Sequence, residues 1–318
     1  MRRLQMAALA LALIAGLAGP RAAHAADPLR LVLDWFVNPD HGPIILAEEK
    51  GFFADQGLAV EIIPPSDPTE PPKMVAAGRA DLAVSYQAQL HLQVAQGLPV
   101  AWVGTLVATP LNCLLVLADG PIKTPADLKG RKVGFSVAGV EEAVLGTVLE
   151  NHGVALDEVE MVNVNFALSP ALMSRQVDAV IGAYRNFELN QLEIEGVEGR
   201  CFYIEEEGLP AHDELIYVAN PETVKRSEVR RFLAAVELAT QYIINHPQES
   251  WEIFKSTAAE LDDELNKRAW VDTLPRFALR PAAWDGGRYA RFDQFLLEKG
   301  MIEAANAPGT LRIDVFAE

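Results

Sequence analysis

Short apolar runs alternate with longer amphipathic stretches along most of this chain. An apolar run at 29–33 leads into a helical pattern over about 43–53 and a second apolar run at 59–64. A helical stretch at 72–77 then precedes an apolar run at 80–85, and another at 87–96 precedes one at 100–106. Gly51, Gly57, Gly78 and Gly97 fall where helix ends and turns call for positive φ. This strand–helix–strand rhythm predicts a mostly parallel sheet flanked by helices, an α/β architecture.

The rhythm restarts further on. Residues 124–128 read as a short capped turn, 132–135 as a strand, 140–152 as a helix and 160–164 as a strand; a helix at 170–175 then leads to a strand at 179–183. Two passages echo each other: Ala77-Gly78-Arg79-Ala80-Asp81-Leu82-Ala83-Val84-Ser85-Tyr86 and Arg175-Gln176-Val177-Asp178-Ala179-Val180-Ile181-Gly182-Ala183-Tyr184. Each joins a helix end, an aspartate, an apolar strand and a closing aromatic, as two similarly built lobes facing each other would require. A strand at 214–219 follows Pro210, and charged helical patterns then run over about 221–245, 247–257, 262–273 and 284–299. This tail has no sheet of its own and is expected to pack back on the first lobe. The chain then crosses between lobes near 107–111 and 210–215. That places 26–108 and 215–318 in lobe 1 and 109–214 in lobe 2. No Ser/Gly-rich linker marks either crossing, which suits short hinge strands.

The N-terminus reads as an export signal. Arg2 and Arg3 form a basic end, residues 6–17 are almost wholly apolar, and Ala23-His24-Ala25 is a small-x-small cleavage site, so cleavage is expected after Ala25. An apolar stretch of this length is too short to span a bilayer. With no cysteine at the cleavage site, a lipid anchor is not expected, and a periplasmic location is. Removing the signal, with three arginines and no acid, takes the formal net charge from −17 to −20. Such a surface disfavours nucleic acid, anionic membranes and polyanionic ligands. The two cysteines, Cys113 and Cys201, can pair in an oxidising compartment or stay as buried thiols on strands.

Catalytic motifs are missing. There is no HExxH, no phosphate-binding loop and no GxSxG, and no Cys/His cluster suggests a metal; no cofactor is expected. His91 and His152 sit in helical patterns and read as exposed, while Glu205–Glu207 reads as a solvated acidic face. Aromatic and polar groups instead collect at the carboxyl ends of the expected strands, where open α/β sheets place their ligands. Trp35, Tyr86 and Tyr184 follow three different strands, and Asn38, His41, Asn186 and Glu188 lie on the same loops. Such a set suits a flat heteroaromatic ring: aromatic faces stack it while a carboxylate and amides pair with ring nitrogens and amino groups. Glu141 and Glu142, in the first turn of the helix after 136–139, already complement its dipole and predict a neutral or cationic ligand.

Several segments resemble one family. Leu33-Asp34-Trp35-Phe36 with Asn38 and His41, then Glu49-Lys50-Gly51-Phe52-Phe53 and Gly57-Leu58, is similar to the opening signature of the periplasmic proteins that bind thiamine pyrimidine precursors for ABC importers. Gly182-Ala183-Tyr184-Arg185-Asn186-Phe187-Glu188 resembles their GAYxNxE stretch, and Asp213-Glu214-Leu215 with Ala219-Asn220 their return strand. The resemblance implies a type II-like periplasmic binding protein, a monomer that closes over a hydroxymethylpyrimidine or formylaminopyrimidine and presents it to a permease without turning it over. It also implies that Trp35 and Tyr184 stack the ring and that Glu188 pairs with a ring nitrogen and the exocyclic amine. Tyr86, Asn38, His41 and Asn186 would line the cleft, with Asp34 and Glu214 either joining them or anchoring the hinge. The same superfamily contains eukaryotic pyrimidine synthases and binders of sulfonates, nitrate and riboflavin-like compounds. The synthases carry a Cys-rich iron-binding run that two separated cysteines do not match. Another heteroaromatic nutrient, a pyrimidine-precursor enzyme and the sensing part of a regulator are the competing readings.

Overall fold

The computed structural model describes residues 25–307 and 309–317. The expected export signal lies outside them except for Ala25. Two five-stranded sheets form the frame. The first is ordered β2-β1-β3-β10-β4 and is built from β1 (Asp27–Val32), β2 (Leu58–Ile63), β3 (Leu82–Tyr86), β4 (Ala101–Val107) and β10 (Leu215–Ala219). The second is ordered β7-β6-β8-β5-β9, from β5 (Asn112–Leu117), β6 (Lys132–Phe135), β7 (Glu160–Asn163), β8 (Ala179–Tyr184) and β9 (Gly199–Tyr203). In each sheet four strands run the same way. The fifth, β10 or β5, is the strand that enters from the other sheet, and it is antiparallel to both neighbours. Helices cover both faces of each sheet, so alternate residues of one strand enter different cores. Leu215, Tyr217 and Ala219 of β10 join one cluster, while Ile216 and Val218 join the other. That two-sided burial is why these strands are apolar at nearly every position.

The echoed passages occupy the same place in the two sheets, β3 and β8 each standing third in order. Asp81 and Asp178 make matching backbone contacts. Each carboxylate accepts the backbone N–H of a residue on the neighbouring parallel strand, Arg30 of β1 or Lys132 of β6, and each backbone N–H returns a bond to that residue's carbonyl. The copies differ by one residue: five positions separate Asp81 from Tyr86, and six separate Asp178 from Tyr184. A β-bulge absorbs the extra residue, with Ile181 and Gly182 standing opposite the single Leu114 of β5. Gly182 takes φ +88°, a backbone shape that glycine adopts cheaply, and the side-chain oxygen of Asn112 accepts its N–H at 3.1 Å.

Four features depart from the sequence reading. β5 and β9 lie outside the strand ranges of the sequence rhythm, though they carry Cys113 and Cys201, which one reading puts on strands; the apolar stretch after Leu111 continues the hinge crossing directly into the second sheet. The tail packs on the first lobe through Phe232 and Val236, but its last helix, Gly286–Glu298, also buries Phe292 and Leu296 in the second lobe's core. His91 is fully buried because that helix supplies Asp293, 2.9 Å from its Nδ1. Of the supposedly solvated acids, Glu205 grips Arg185 with both oxygens and Glu207 meets His152 at 2.6 Å. Cys113 and Cys201 are joined as a disulfide between β5 and β9. Replacing both cysteines by alanine should cost about 2–4 kcal/mol of unfolding free energy, read from urea denaturation; an unchanged midpoint would contradict that role.

Candidate functional site

The carboxyl ends of β1, β3 and β8 converge on one cavity between the two sheets, enclosing about 760 Å³ with the solvent at its mouth included. Asp34, Trp35, Asn38, Tyr86, Tyr184, Glu188 and Glu214 all line it. The β8 bulge matters here. It shifts the alternation of that strand by one residue, so that Tyr184 meets Tyr86 and Glu214 at the cavity. Trp35 comes from a loop of the first lobe but is seated against the second, with its ring 4.6 Å from Phe166 in an edge contact and beside Leu168. Phe36 and Phe187 extend this aromatic seam across the lobes, 5.8 Å apart.

His41 and Asn186 do not line the cavity; each stands behind its wall. His41 is fully buried, with Nε2 2.9 Å from Asp34 Oδ1, while Nδ1 accepts the Asn38 N–H. The Tyr86 hydroxyl donates to the other Asp34 oxygen at 3.0 Å. His41 therefore orients Asp34. Asn186 donates to Asp40 at 2.7 Å and lies equally close to Thr273 Oγ1, tying the second lobe to the first. Asn38 caps the turn at Asp40, its side-chain oxygen accepting that N–H at 2.8 Å. Glu214 stands at the hinge crossing and at the cavity wall together. One oxygen takes the N–H groups of Leu111 and Asn112 at the hinge crossing, and the other receives the Tyr184 hydroxyl at 3.3 Å in the cavity wall.

Glu188 opens the helix Glu188–Ile194, and its Oε2 accepts the Tyr184 N–H at 2.7 Å. Burial pushes its carboxyl up to about 7 against the pull of that N–H. Sequence reasoning drew only the ligand's charge from Glu141 and gave no cavity role to Asp40, Asn112 or Gly182, yet all four line the cavity. Burial likewise lifts Glu141 to about 8 and Asp40 to about 6. Burial also holds the Tyr86 and Tyr184 hydroxyls well above their ordinary range, so both remain neutral donors. Among the described residues that line the cavity, none is Lys or Arg.

These raised carboxyls set a pH dependence. Around pH 6 they hold protons in the fold that the unfolded chain has already released, so their contribution to stability is present at acid pH and lost as pH rises through about 6 to 8. The melting temperature of ligand-free protein should fall across that window, and the double variant Glu141→Gln/Glu188→Gln should flatten the fall. A variant curve parallel to the wild type would contradict it.

Residues 38–250 match the family described as NMT1/THI5 like. Over 284 residues, 89% of this chain and 90% of the relative, the sequence is 51% identical to a Haemophilus influenzae protein named for thiamine biosynthesis. It is 32% identical to the formylaminopyrimidine-binding protein of Halalkalibacterium halodurans over 79% of this chain and 76% of that one. A 4-amino-5-hydroxymethyl-2-methylpyrimidine phosphate synthase of Saccharomyces cerevisiae matches at 25% over 77% of this chain and 75% of its own. In fold, the chain is similar to the periplasmic aliphatic sulphonate binding protein SsuA from Escherichia coli, with a TM-score of 0.68 over 91% of this chain and 96% of that one at 16% identity. By the extent of the first match and the identity of the first relative, this chain belongs to the NMT1/THI5-like family.

Proposed function

We propose that this protein is the exported substrate-binding component of an ABC importer, capturing a thiamine pyrimidine precursor of the hydroxymethylpyrimidine or formylaminopyrimidine type between its lobes. The observation that carries the reading is the composition of the cavity: Trp35, Tyr86 and Tyr184 bring aromatic faces from both lobes to one space, beside the buried carboxyl of Glu188 and with no lining Lys or Arg among the described residues. An aminopyrimidine presents a ring nitrogen next to an exocyclic amine, one acceptor and one donor. A carboxyl near half-protonation matches such an edge with either oxygen. Sulfonates and phosphates would meet five acids and no lining Lys or Arg among the described residues. Trp35 belongs to one lobe and is seated on the other, so a ligand stacked on it has contacts in the closed form that an open form lacks, and closure follows from that difference in affinity.

Among the described residues no helix is long and apolar enough to cross a membrane. On this reading the ligand is delivered to a separate permease. The related synthases make turnover in the same cleft the competing reading. Calorimetric titration with 4-amino-5-hydroxymethyl-2-methylpyrimidine, its formylaminomethyl analogue and an alkanesulfonate separates the cases. The reading expects the pyrimidines to bind and the sulfonate not to. Sulfonate binding without pyrimidine binding would overturn it.

A further inference from the structure

Five carboxylic acids line the cavity: Asp34, Asp40, Glu141, Glu188 and Glu214. Three are committed within the protein. Asp34 is held by His41 and Tyr86, Asp40 by Asn186 and Thr273, and Glu214 by two backbone N–H groups and Tyr184. The remaining two share one arrangement. Glu188 ties Oε2 to the Tyr184 N–H at 2.7 Å, and Glu141 ties Oε2 to the Ser136 N–H at 2.6 Å.

Helix capping does not account for Glu141. That task falls to its half-buried neighbour Glu142, whose Oε2 accepts the Gly139 N–H. Glu141 is instead 95% buried and presses into the space left by the β8 bulge. A Cβ at position 182 would lie 2.0 Å from Glu141 Oε1, so the positive-φ glycine there is a cradle shaped to this carboxyl. Burying a second acid near Glu188 raises the energy of both ionised forms, a cost that a cation or strong donor placed between them would remove.

We propose that Glu141 is a second recognition carboxyl, selecting an aminopyrimidine whose ring substituent carries a basic amine. This rests on the reading of the cavity as a pyrimidine site with Glu188 on the ring edge. The ring carries its substituent on the carbon beside the exocyclic amine, and Glu141 receives the substituent's ammonium in a charge-assisted hydrogen bond.

The test is calorimetry near neutral pH with two probes that differ only in that group, 4-amino-5-aminomethyl-2-methylpyrimidine and its 5-hydroxymethyl counterpart. Wild type should prefer the amine by at least about tenfold. Glu141→Gln keeps an acceptor for Ser136 and should melt no lower than the wild type without ligand. It should bring the preference within about threefold by losing affinity for the amine alone. A Glu141→Gln variant that weakens both probes equally, or keeps the preference, overturns the proposal while leaving the pyrimidine site standing. Failure of the wild type to bind either probe would instead overturn the reading of the cavity itself, and this inference with it.

Discussion

Glu188→Gln should weaken binding of an aminopyrimidine by about 1.5–3 kcal/mol, or roughly tenfold to more than a hundredfold. The loss has a specific origin. A glutamine still accepts the Tyr184 N–H, but it can no longer shift a proton to match a neighbouring donor and acceptor on the ring. The ligand-free fold should not suffer, because burial already disfavours the charge that the substitution removes. Calorimetry paired with ligand-free melting therefore separates recognition from support. Intact binding would show that the ring edge is read elsewhere, and a lowered melting temperature would make Glu188 a structural residue.

Trp35→Ala should cost at least about 2 kcal/mol of binding. The indole gives the ligand an aromatic face and also fills a seat in the second lobe against Phe166 and Leu168. Its removal takes away a ligand contact and a contact that closure makes. Trp35→Phe should recover part of the affinity, since a ring remains for stacking. If Trp35→Ala and wild type bind equally well, the ring is not held by this face of the cavity.

A smaller effect is expected at Gly182. Alanine there would strain a backbone at φ +88° and drive its Cβ into the Glu141 carboxyl. Affinity should drop by about tenfold or more, with Tyr184 displaced as well. Unchanged affinity in Gly182→Ala would mean that the bulge does not shape the site.

The parts of this architecture that depend on local sequence were legible before the structure. The strand Lys132–Phe135 lies where its apolar run and flanking turn place it, and the echo around Asp81 and Asp178 marks two equivalent strands with matching aspartate contacts. Strand-end aromatics were readable for the same reason, since the end of a buried strand leaves them little but a cleft to face. What depends on tertiary register was not. His41 and Asn186 share loops with cavity residues, yet a buried carboxylate nearby, Asp34 or Asp40, draws each into the wall. Glu141 looked like an ordinary helix-start acid because its burial follows from a one-residue bulge on another strand, for which the only local sign is a glycine inside an apolar run. The last helix reaches both lobes through residues that one amphipathic pattern cannot divide between two cores.

Native mass spectrometry of the purified protein mixed with the formylaminomethyl pyrimidine tests the central claim most directly. A flat, uncharged or cationic precursor held between the lobes and left chemically intact predicts a single adduct per chain with the mass of the added compound. No adduct, or an adduct of altered mass, would contradict it.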